Sequence, residues 1–497
     1  MGLGSLPVEL LESLGPFCGY SQLAHLARLN HSFHAIFNPI LYKHNAADVP
    51  WHSCLHWAVE NDSLPTLKLG LTYGADINNT GAEVESYIWL LSELPSPRSD
   101  NSTYATPLHL AMFKKRLDIV RWLLDNGARL DVPSYLLCRC HVEPRQRPDH
   151  LWYPLHYAIC HSSNEILRLV LERGDVYSAK DSLGLRCAIE MGSLSAVDAL
   201  VKHDKFDPNY RDDDNLTALH YVADCENPQA ACAIVDKLAQ HGVPLDVMGE
   251  YGGTALEHLV QQAKFKPAIT LLQHGADPNV SDSIHRGLGM IDRCFDEDYA
   301  EALEMAEPSQ AQEMRDTRLE LLQLLIAGGV DVNRRLGHGR PPFSRPLFWA
   351  LIVSKDARCV QVMLDAGSSI KDAVVERYED ESECILAGFF DLFGELDTKR
   401  PRLWDRIEKD LEPYKESVSL LLERGARIDS IGDERSALGK ACEIEQETGA
   451  LTFLVQNATG GNTELEHVAR LRERYSGDEA IHGLLDRFYY KLVAEVK

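Results

Sequence analysis

The sequence predicts an all-α fold in which short helix pairs repeat along most of the chain. Two observations predict it: apolar residues recur at helical rather than alternating spacing, and a stretch of roughly 30 residues returns many times. No apolar run is long enough to span a bilayer. The chain has 497 residues. That length exceeds one ordinary core, so several domains or an extended repeat are expected.

The first helices are predicted in a separate N-terminal segment, residues 1–48. The stretch "LPVELLESL" places Leu6, Leu10, Leu11 and Leu14 on one helix face. Two glutamates interrupt the apolar run and no Lys or Arg precedes it, so the pattern indicates an amphipathic helix rather than an export signal.

Two more helices are predicted in the same segment. A stretch from Ser21 brings Leu23 and Leu26 together. A third set has helical spacing: Leu29, Phe33, Ile36 and Phe37. Asn38-Pro39 is expected to end the third helix, because a residue before proline avoids the helical region. Gly15-Pro16 is expected to shorten or kink the first helix, since proline inside a helix costs about 3 kcal/mol.

A unit of two helices recurs from about Trp51 onwards. In the copy "TPLHLAMFKKRLDIVRWLLDNGARLDV", Thr106 suits a helix N-cap, Pro107 the first helical position, and Gly127 a left-handed helix exit. "ARLDV" is predicted to form an extended finger. Further copies begin at Cys54, Pro154, Thr217 and Thr254. Because one pair cannot bury its apolar face alone, the pairs are expected to share a continuous core.

The repeats are predicted to fill residues 49–460, with inserts near 81–102, 132–150, 295–314 and 373–412. Roughly nine or ten units fit this length. Inserts in stacked repeats lie on loops, often on a binding face, although inert or unstructured inserts are an equal alternative. The remaining residues, 461–497, include the amphipathic "EAIHGLLDRFYYKLVAEV" and are predicted to form capping helices.

The recurring unit resembles the ankyrin repeat, which is about 33 residues long and has a Thr-Pro-Leu-His type of helix start. This resemblance implies a solenoid of helix pairs with β-hairpin fingers. The copy at Leu183 lacks both Thr and His, and the copy at Thr254 has Glu257 in place of His. These two interfaces are therefore expected to be locally weaker.

The N-terminal segment resembles the F-box, a short helical motif that binds the Skp-type adaptor of cullin–RING ubiquitin ligases. Its usual start, Leu-Pro-x-Glu-Leu-Leu, is matched from Leu6 to Leu11, spaced leucines follow, and the ending "NPILYKHNA" is similar to that of fungal F-box–ankyrin proteins. The resemblance implies an adaptor-binding surface that consists of Leu6, Pro7, Leu10, Leu11, Leu14, Leu23 and Leu26.

Two functions are therefore expected to compete. In the first, the protein is the substrate-recognition adaptor of an SCF-type ligase, with a Skp-type adaptor and cullin complex and an unknown protein substrate as partners. In the alternative, it is an interaction scaffold without a link to ubiquitin, and the N-terminal helices only cap the solenoid.

The composition limits the partners further. Hydrophobic residues make up 45%, charged residues 25%, and the formal net charge is -25. Such a surface repels phosphate backbones, and no basic stripe with interleaved aromatic residues offsets it, so no nucleic-acid partner is expected, nor a membrane. The 12 cysteines are scattered, which indicates reduced thiols in a cytoplasmic or nuclear protein.

Histidines occupy the fourth place of several helix starts: His56, His109, His156 and His220. A catalytic residue occurs once, whereas these recur, so they are expected to bond to the backbone and connect neighbouring units. No Gly-rich phosphate loop, nucleophile elbow or zinc-protease helix occurs. We therefore expect neither an enzyme nor a cofactor.

One cluster has metal-binding residue types: Cys138, Cys140, His141 and His150. Zinc sites usually pair cysteines with two to four intervening residues and add a second pair. Here a single residue separates the cysteines and no second pair follows, so no metal site is expected.

Overall fold

The computed structural model describes residues 6–47, 54–79, 105–132, 153–160, 163–173, 182–250, 252–280, 289–295, 297–334, 346–370, 385–394, 410–429 and 436–496. Every regular element in these ranges is helical, which confirms the predicted all-α class. The chain divides into two compact units, residues 1–212 with 224–243 and residues 213–223 with 244–497. Within the described ranges, no helix has the length and apolar character needed to cross a membrane.

The first unit begins with three helices that share a small core. They are α1 (Val8–Leu14), α2 (Tyr20–Ala27) and α3 (His31–Ala47), with a 3₁₀ turn, Gly15–Phe17, after α1. The core consists of Leu11, Leu23, Ala27, Phe33 and Phe37. The rings of Phe33 and Phe37, one helical turn apart, have centroids 5.5 Å from each other. Helix α1 ends before Gly15-Pro16, in agreement with the expected shortening.

The predicted end of the third helix at Asn38-Pro39 is wrong, because α3 continues through Pro39 to Ala47. The residues after the proline have packing partners that offset its cost. Ile40 approaches Gly15 so closely that a Cβ atom at Gly15 would lie 2.7 Å from its Cγ2 atom. Tyr42 stacks on Tyr73, with ring centroids 5.9 Å apart. Tertiary contacts therefore override the local preference.

Helix pairs follow in the first unit. They are α4 (Cys54–Glu60) with α5 (Leu64–Thr72), α6 (Pro107–Phe113) with α7 (Leu117–Asp125), α8 (Pro154–Cys160) with α9 (Asn164–Arg173), α10 (Ser182–Glu190) with α11 (Leu194–Val201), and then α12 (Pro228–Gln240). The first helices α4, α6, α8 and α10 contact one another in chain order, and so do the second helices α7, α9, α11 and α12. Each pair therefore buries its apolar face against the next.

The pair α6–α7 has the predicted termini. The Thr106 side chain accepts a hydrogen bond from the backbone N–H of His109, and Pro107 is the first helical residue. Gly127 has φ +92°, the left-handed exit that the sequence predicts. Ile119, Val120 and Leu123 are buried on the inner face of α7.

The second unit repeats the arrangement with more variation. Its helices are α13 (Ala255–Gln261), α14 (Phe265–Gln273), α15 (Met290–Arg293), α16 (Glu297–Met305), α17 (Pro308–Ala327), α18 (Pro346–Ser354), α19 (Ala357–Asp365), α20 (Ile385–Gly394), α21 (Lys415–Glu423), α22 (Ala437–Thr448), α23 (Ala450–Asn457), α24 (Leu465–Arg474) and α25 (Glu479–Val496). The last helix has the boundaries of the predicted amphipathic stretch and packs on α23 and α24.

Two of the predicted inserts are helical and belong to the core. In the insert near 295–314, α16 and the start of α17 bury Tyr299, Leu303 and Ala311. In the insert near 373–412, α20 buries Phe389 and Phe390 and packs on α22. Helix α20 lacks the Thr-Pro-Leu-His start, so its sequence pattern predicts an insert rather than a repeat helix. The inserts near 81–102 and 132–150 lie almost wholly outside the described residues.

The predicted β-hairpin fingers are turns wherever the structure describes them, and no strand occurs there. Side-chain hydrogen bonds of an Asp-x-Asn motif replace the strand ladder. Asn78 donates from Nδ2 to the carbonyl of Gly127 at 3.3 Å and accepts from the backbone N–H of Arg129 at 2.8 Å. Asn333 donates in the same way to the carbonyl of Gly367 at 3.0 Å. In these two fingers, one amide side chain thus connects the turn to the helix exit of the next repeat.

The N-terminal core generates a stability prediction. Leu23 is 0% exposed and Leu29 is 63% exposed. Removing a buried leucine side chain costs about 2–5 kcal/mol, because transfer and cavity terms add. We expect Leu23→Ala to accelerate amide hydrogen exchange throughout residues 6–47, and the matched control Leu29→Ala to leave exchange almost unchanged. Equal protection in both variants would contradict the three-helix core.

Candidate interaction surfaces

Exposed apolar side chains concentrate at the start of the chain. Among the described residues, six of the thirteen large exposed hydrophobic side chains belong to the segment 6–29. They are Leu6, Val8, Leu10, Leu14, Phe17 and Leu29. Phe17 is 86% exposed and Leu10 is 52% exposed. We call these six residues the N-terminal apolar surface. Their concentration in one segment makes that segment a candidate interaction site.

The structure divides the predicted adaptor-binding set into three groups. Leu6, Pro7, Leu10 and Leu14 are exposed, and Leu26 is half-buried. Leu11 and Leu23 are not on the surface, because they form the core with Phe33 and Phe37. Their placement corrects the sequence-based assignment: α1 has a wide apolar stripe, of which Leu11 faces α2 and α3 and the neighbouring leucines face outward.

The predicted adaptor-binding set lacks three members of this surface, which are Val8, Phe17 and Leu29. Val8 lies in the first turn of α1 and Phe17 closes the 3₁₀ turn after it. The periodicity of leucines does not include them. The sequence does contain a hint for Phe17. Gly15-Pro16 ends the helix, so Phe17 lies beyond α1 and is not part of its buried face.

The C-terminal half of α3 has a different role, since it contacts the first repeat. The backbone N–H of Cys54 donates to Oδ1 of Asn45 at 2.5 Å. Tyr42 stacks on Tyr73, and burial raises the pKa of the Tyr42 hydroxyl. The segment 6–47 therefore caps the repeats through α3, while the exposed leucines of α1 take no part in those two contacts.

The repeated histidines are structural, in agreement with the sequence. The backbone N–H groups of Thr106, Tyr153 and Thr217 donate to Nδ1 of the histidine three residues later, at 3.2, 2.9 and 3.0 Å. Nδ1 is therefore an acceptor and the proton is on Nε2. In the first repeat, Nε2 of His56 lies 2.7 Å from the carbonyl oxygen of Ala105, which begins the next repeat. Three of these histidines thus bond to the backbone at the start of their own helix, and His56 bonds to the backbone of the next repeat.

Burial disfavours the charged form of two of these rings, His56 and His220. It lowers the pKa of His56. It also lowers the pKa of His220 to about 4, and the nearby imidazole of His258 contributes. The two rings meet edge to face, with centroids 5.3 Å apart.

Carboxylates replace histidine in two consecutive repeats of the second unit, and one of them belongs to a buried ion pair. Glu257 and Asp292 occupy the histidine position, and Asp292 accepts from the backbone N–H of Gly289 at 2.9 Å. Nη2 of Arg293 lies 2.7 Å from Oε1 of Glu257, and both side chains are less than a tenth exposed. Burial raises the pKa of Asp292 to about 6. The expected weak interface is therefore compensated by a charge from the neighbouring helix.

A groove of about 570 Å³ lies between the second helices α9 and α11. Its lining carries both signs of charge, including Arg168, Glu172 and Lys202. Asp198 bonds to Lys202 at 2.6 Å and to Lys237 at 2.8 Å, and these bonds lower the pKa of its carboxyl. Because its positive and negative side chains balance, the groove does not favour a ligand of either charge.

Metal binding has no structural support in the part of the chain that the structure describes. There, no group of three or more His, Cys, Asp or Glu side chains could hold a metal ion. The sequence cluster Cys138, Cys140, His141 and His150 lies outside the described residues.

The lowered pKa of His220 predicts a pH dependence of stability. Between pH 6.5 and about 4, the unfolded chain binds a proton at His220 that the folded chain does not. The free energy of unfolding should therefore be intact above pH 6.5 and decrease as the pH falls, by about 1.4 kcal/mol per pH unit. We expect His220→Gln to lose less in its urea midpoint between pH 7 and pH 5 than the unsubstituted protein. His274→Gln, at an exposed position, is the control, and an unchanged decrease in His220→Gln would contradict this account.

The buried ion pair generates a second prediction. Arg293→Met should lower the free energy of unfolding by about 3–5 kcal/mol, because a carboxylate is left buried without its cation. The double variant Arg293→Met with Glu257→Gln should recover part of the loss in urea unfolding. Lys266→Met breaks the exposed pair with Glu313 and should cost at most about 1 kcal/mol. No recovery in the double variant would show that the charge is not the cause.

Comparison with known proteins identifies the repeats. The family model of ankyrin repeats (3 copies) matches residues 85–181 and 185–282. Ankyrin repeat protein nuc-2 of Neurospora crassa is 28% identical over 240 residues, which is 47% of this chain and 19% of that protein. The nuclear factor NF-kappa-B p105 subunit of Gallus gallus is 30% identical over 192 residues, 37% of this chain and 17% of that protein. The aligned regions thus span less than a fifth of these relatives.

Solved structures give further similarities. The ankyrin repeat domain of Bcl-3 is 19% identical and covers 63% of this chain and 98% of that one, with a TM-score of 0.31. The human ASB11 ankyrin repeat domain is 18% identical and covers 54% and 98%, with a TM-score of 0.35. The match to ankyrin repeats thus applies to residues 85–181 and 185–282. Such repeats are typically non-enzymatic modules, and in this part of the chain they indicate a scaffold for protein–protein interaction.

Proposed function

We propose that this protein is the substrate-recognition adaptor of an SCF-type cullin–RING ubiquitin ligase. Residues 6–47 would dock on a Skp-type adaptor, and the ankyrin repeats would bind a protein substrate. The observation that carries the proposal is the N-terminal apolar surface, whose leucines remain exposed although the same segment has its own core.

The free energy gained by burying this surface is of the size that a protein partner requires. Fully burying a leucine or phenylalanine side chain contributes about 1.5–3 kcal/mol. The six side chains of this surface are already partly covered, since their exposure ranges from 36% for Leu14 to 86% for Phe17. Covering the rest would therefore contribute about 5–10 kcal/mol. Association costs of about 4–15 kcal/mol oppose this. The burial free energy and the association cost are of similar size, so hydrogen bonds to the partner must add to the burial for a stable complex. A monomer gains nothing from leaving Leu10 and Phe17 exposed.

In this function the protein acts by proximity. The cullin complex would supply the activated ubiquitin, and the repeats would hold the substrate close to it, which raises the effective concentration of the reacting groups. No side chain of this protein would take part in the chemistry. Such an assembly would act in the cytoplasm or the nucleus.

A second candidate is an ankyrin scaffold without a link to ubiquitin, in which the first helices only cap the repeats. The contacts of Tyr42 with Tyr73 and of Asn45 with Cys54 favour it, because they cover the end of the first repeat. Capping accounts for the second half of α3. It does not account for the exposed side chains Leu6, Leu10 and Leu14.

Co-purification of the full-length chain with a purified Skp-type adaptor tests the proposal. We expect the unsubstituted protein to bind and Leu10→Asp to lose binding at least about tenfold, since a charge in an apolar interface must be desolvated. Thermal unfolding of the repeats should be unchanged, because Leu10 is 52% exposed. Leu194→Asp, an exposed leucine at the start of α11, is the matched control and should bind normally.

The outcomes separate the two functions. Loss of binding in Leu10→Asp alone supports a ligase adaptor. If the unsubstituted chain fails to bind the adaptor, the proposal is wrong and the scaffold remains. A large decrease in the unfolding temperature of Leu10→Asp would instead assign Leu10 to the cap.

A further inference from the structure

Two thiols in the first unit lie in direct contact. Cys160 is the last residue of α8 and Cys187 lies within α10, and their Sγ atoms are 2.9 Å apart. Both residues are thiols in this structure. At this distance one thiol donates a hydrogen bond to the other. An approach of about 0.9 Å would bring the sulfur atoms to the covalent S–S distance of about 2.05 Å.

The contact is held by rigid elements rather than by loops. Helices α8 and α10 are the first helices of consecutive repeats and pack on each other. The residues next to the thiols, Ile159 and Ala188, are buried. The two sulfur atoms are therefore brought together by the stacking of the repeats, and no unfolding is needed for them to meet.

The two thiols differ in their access to solvent. Cys187 is 3% exposed, whereas Cys160, at the end of α8, is half-buried. A small oxidant can therefore reach Cys160, and Cys187 lies behind it as the second thiol. This is the arrangement of a thiol that is oxidised first and a neighbour that resolves the product.

Three other thiols among the described residues differ from this pair. Cys442 is 1% exposed, and burial raises its pKa to about 12, which disfavours the reactive thiolate. Burial likewise raises the pKa of Cys294 well above its usual range and that of Cys54 to about 11. Cys294 and Cys442 are buried in the core and Cys54 is half-buried, whereas the Sγ atoms of Cys160 and Cys187 lie in contact with each other.

We propose that Cys160 and Cys187 are a redox modification site at which a hydroperoxide, such as hydrogen peroxide, forms a disulfide between adjacent ankyrin repeats. The Cys160 thiolate attacks the peroxide, the O–O bond breaks, and a sulfenic acid and one water form. The Cys187 thiolate then attacks the sulfenic sulfur, the S–O bond breaks, and a second water leaves. In total, two thiols and one hydrogen peroxide give one disulfide and two waters.

The disulfide would connect the repeat formed by α8 and α9 to the repeat formed by α10 and α11. The two cysteines are 27 positions apart in the chain. They also lie in different matches to the family model, 85–181 and 185–282, so the bond would connect these two matches. A cross-link restrains the unfolded chain and stabilises the folded one. Oxidation would thus fix the relative position of two neighbouring repeats, independently of the proposed ligase function.

The test uses the full-length chain, purified with reductant and then treated with hydrogen peroxide after the reductant is removed. Peptide mapping by mass spectrometry should find a peptide pair linked through Cys160 and Cys187, lighter by two hydrogen atoms than the two thiol peptides. Its rate of formation should not depend on protein concentration, because the reaction is intramolecular. The oxidised protein should unfold at a higher urea concentration than the reduced protein, and dithiothreitol should reverse this shift.

Variants distinguish the site from general oxidation. Cys160→Ser and Cys187→Ala should each lose the linked peptide and the shift in urea midpoint. Cys232→Ser, at a half-buried thiol of α12 in the same unit, should retain both. Should peroxide convert Cys160 to a sulfinic acid while Cys187 stays alkylatable, or should Cys160 pair with another cysteine, the proposal is overturned.

Discussion

The whole fold depends on the burial of each helix pair against the next. A pair such as α6 with α7 is short, and its helices of seven and nine residues would not be stable alone in water. Burial of Leu108, Val120 and Leu123 at 0% exposure is possible only because neighbouring pairs cover them. The stability of any one repeat is therefore a property of its interfaces.

This constraint explains how the polar groups are arranged. A helix start that is covered by its neighbours has backbone N–H groups that water cannot reach, so a side chain must accept from them. Thr106 and His109 provide this in one repeat, Thr217 and His220 in another. Where histidine is absent, Glu257 occupies the position and Arg293 neutralises it. The requirement for a partner at that position is retained, although the chemistry of the partner changes.

The same constraint separates the two roles of the N-terminal segment. The first repeat needs a cover at its open end, and the second half of α3 supplies it through Tyr42 and Asn45. The small core of Leu11, Leu23 and Phe37 holds α1 against this cap. As a result Leu10 and Leu14 remain on the outer side, in a place where a second protein can bury them. One short segment thereby joins a structural cover to a candidate docking surface.

The sequence by itself determined the all-α class, the helix pairs and their termini, because these depend on local signals such as Thr106-Pro107 and Gly127 that act within a single turn of chain. It also identified the repeated histidines as structural. Only the tertiary structure decided that α3 passes through Pro39, that Phe389 and Phe390 are core residues, and that Leu11 and Leu23 face inward. It also decided that Cys160 meets Cys187. The physical reason is that these outcomes depend on which surfaces of distant residues pack together, and periodicity along one helix does not specify its neighbour.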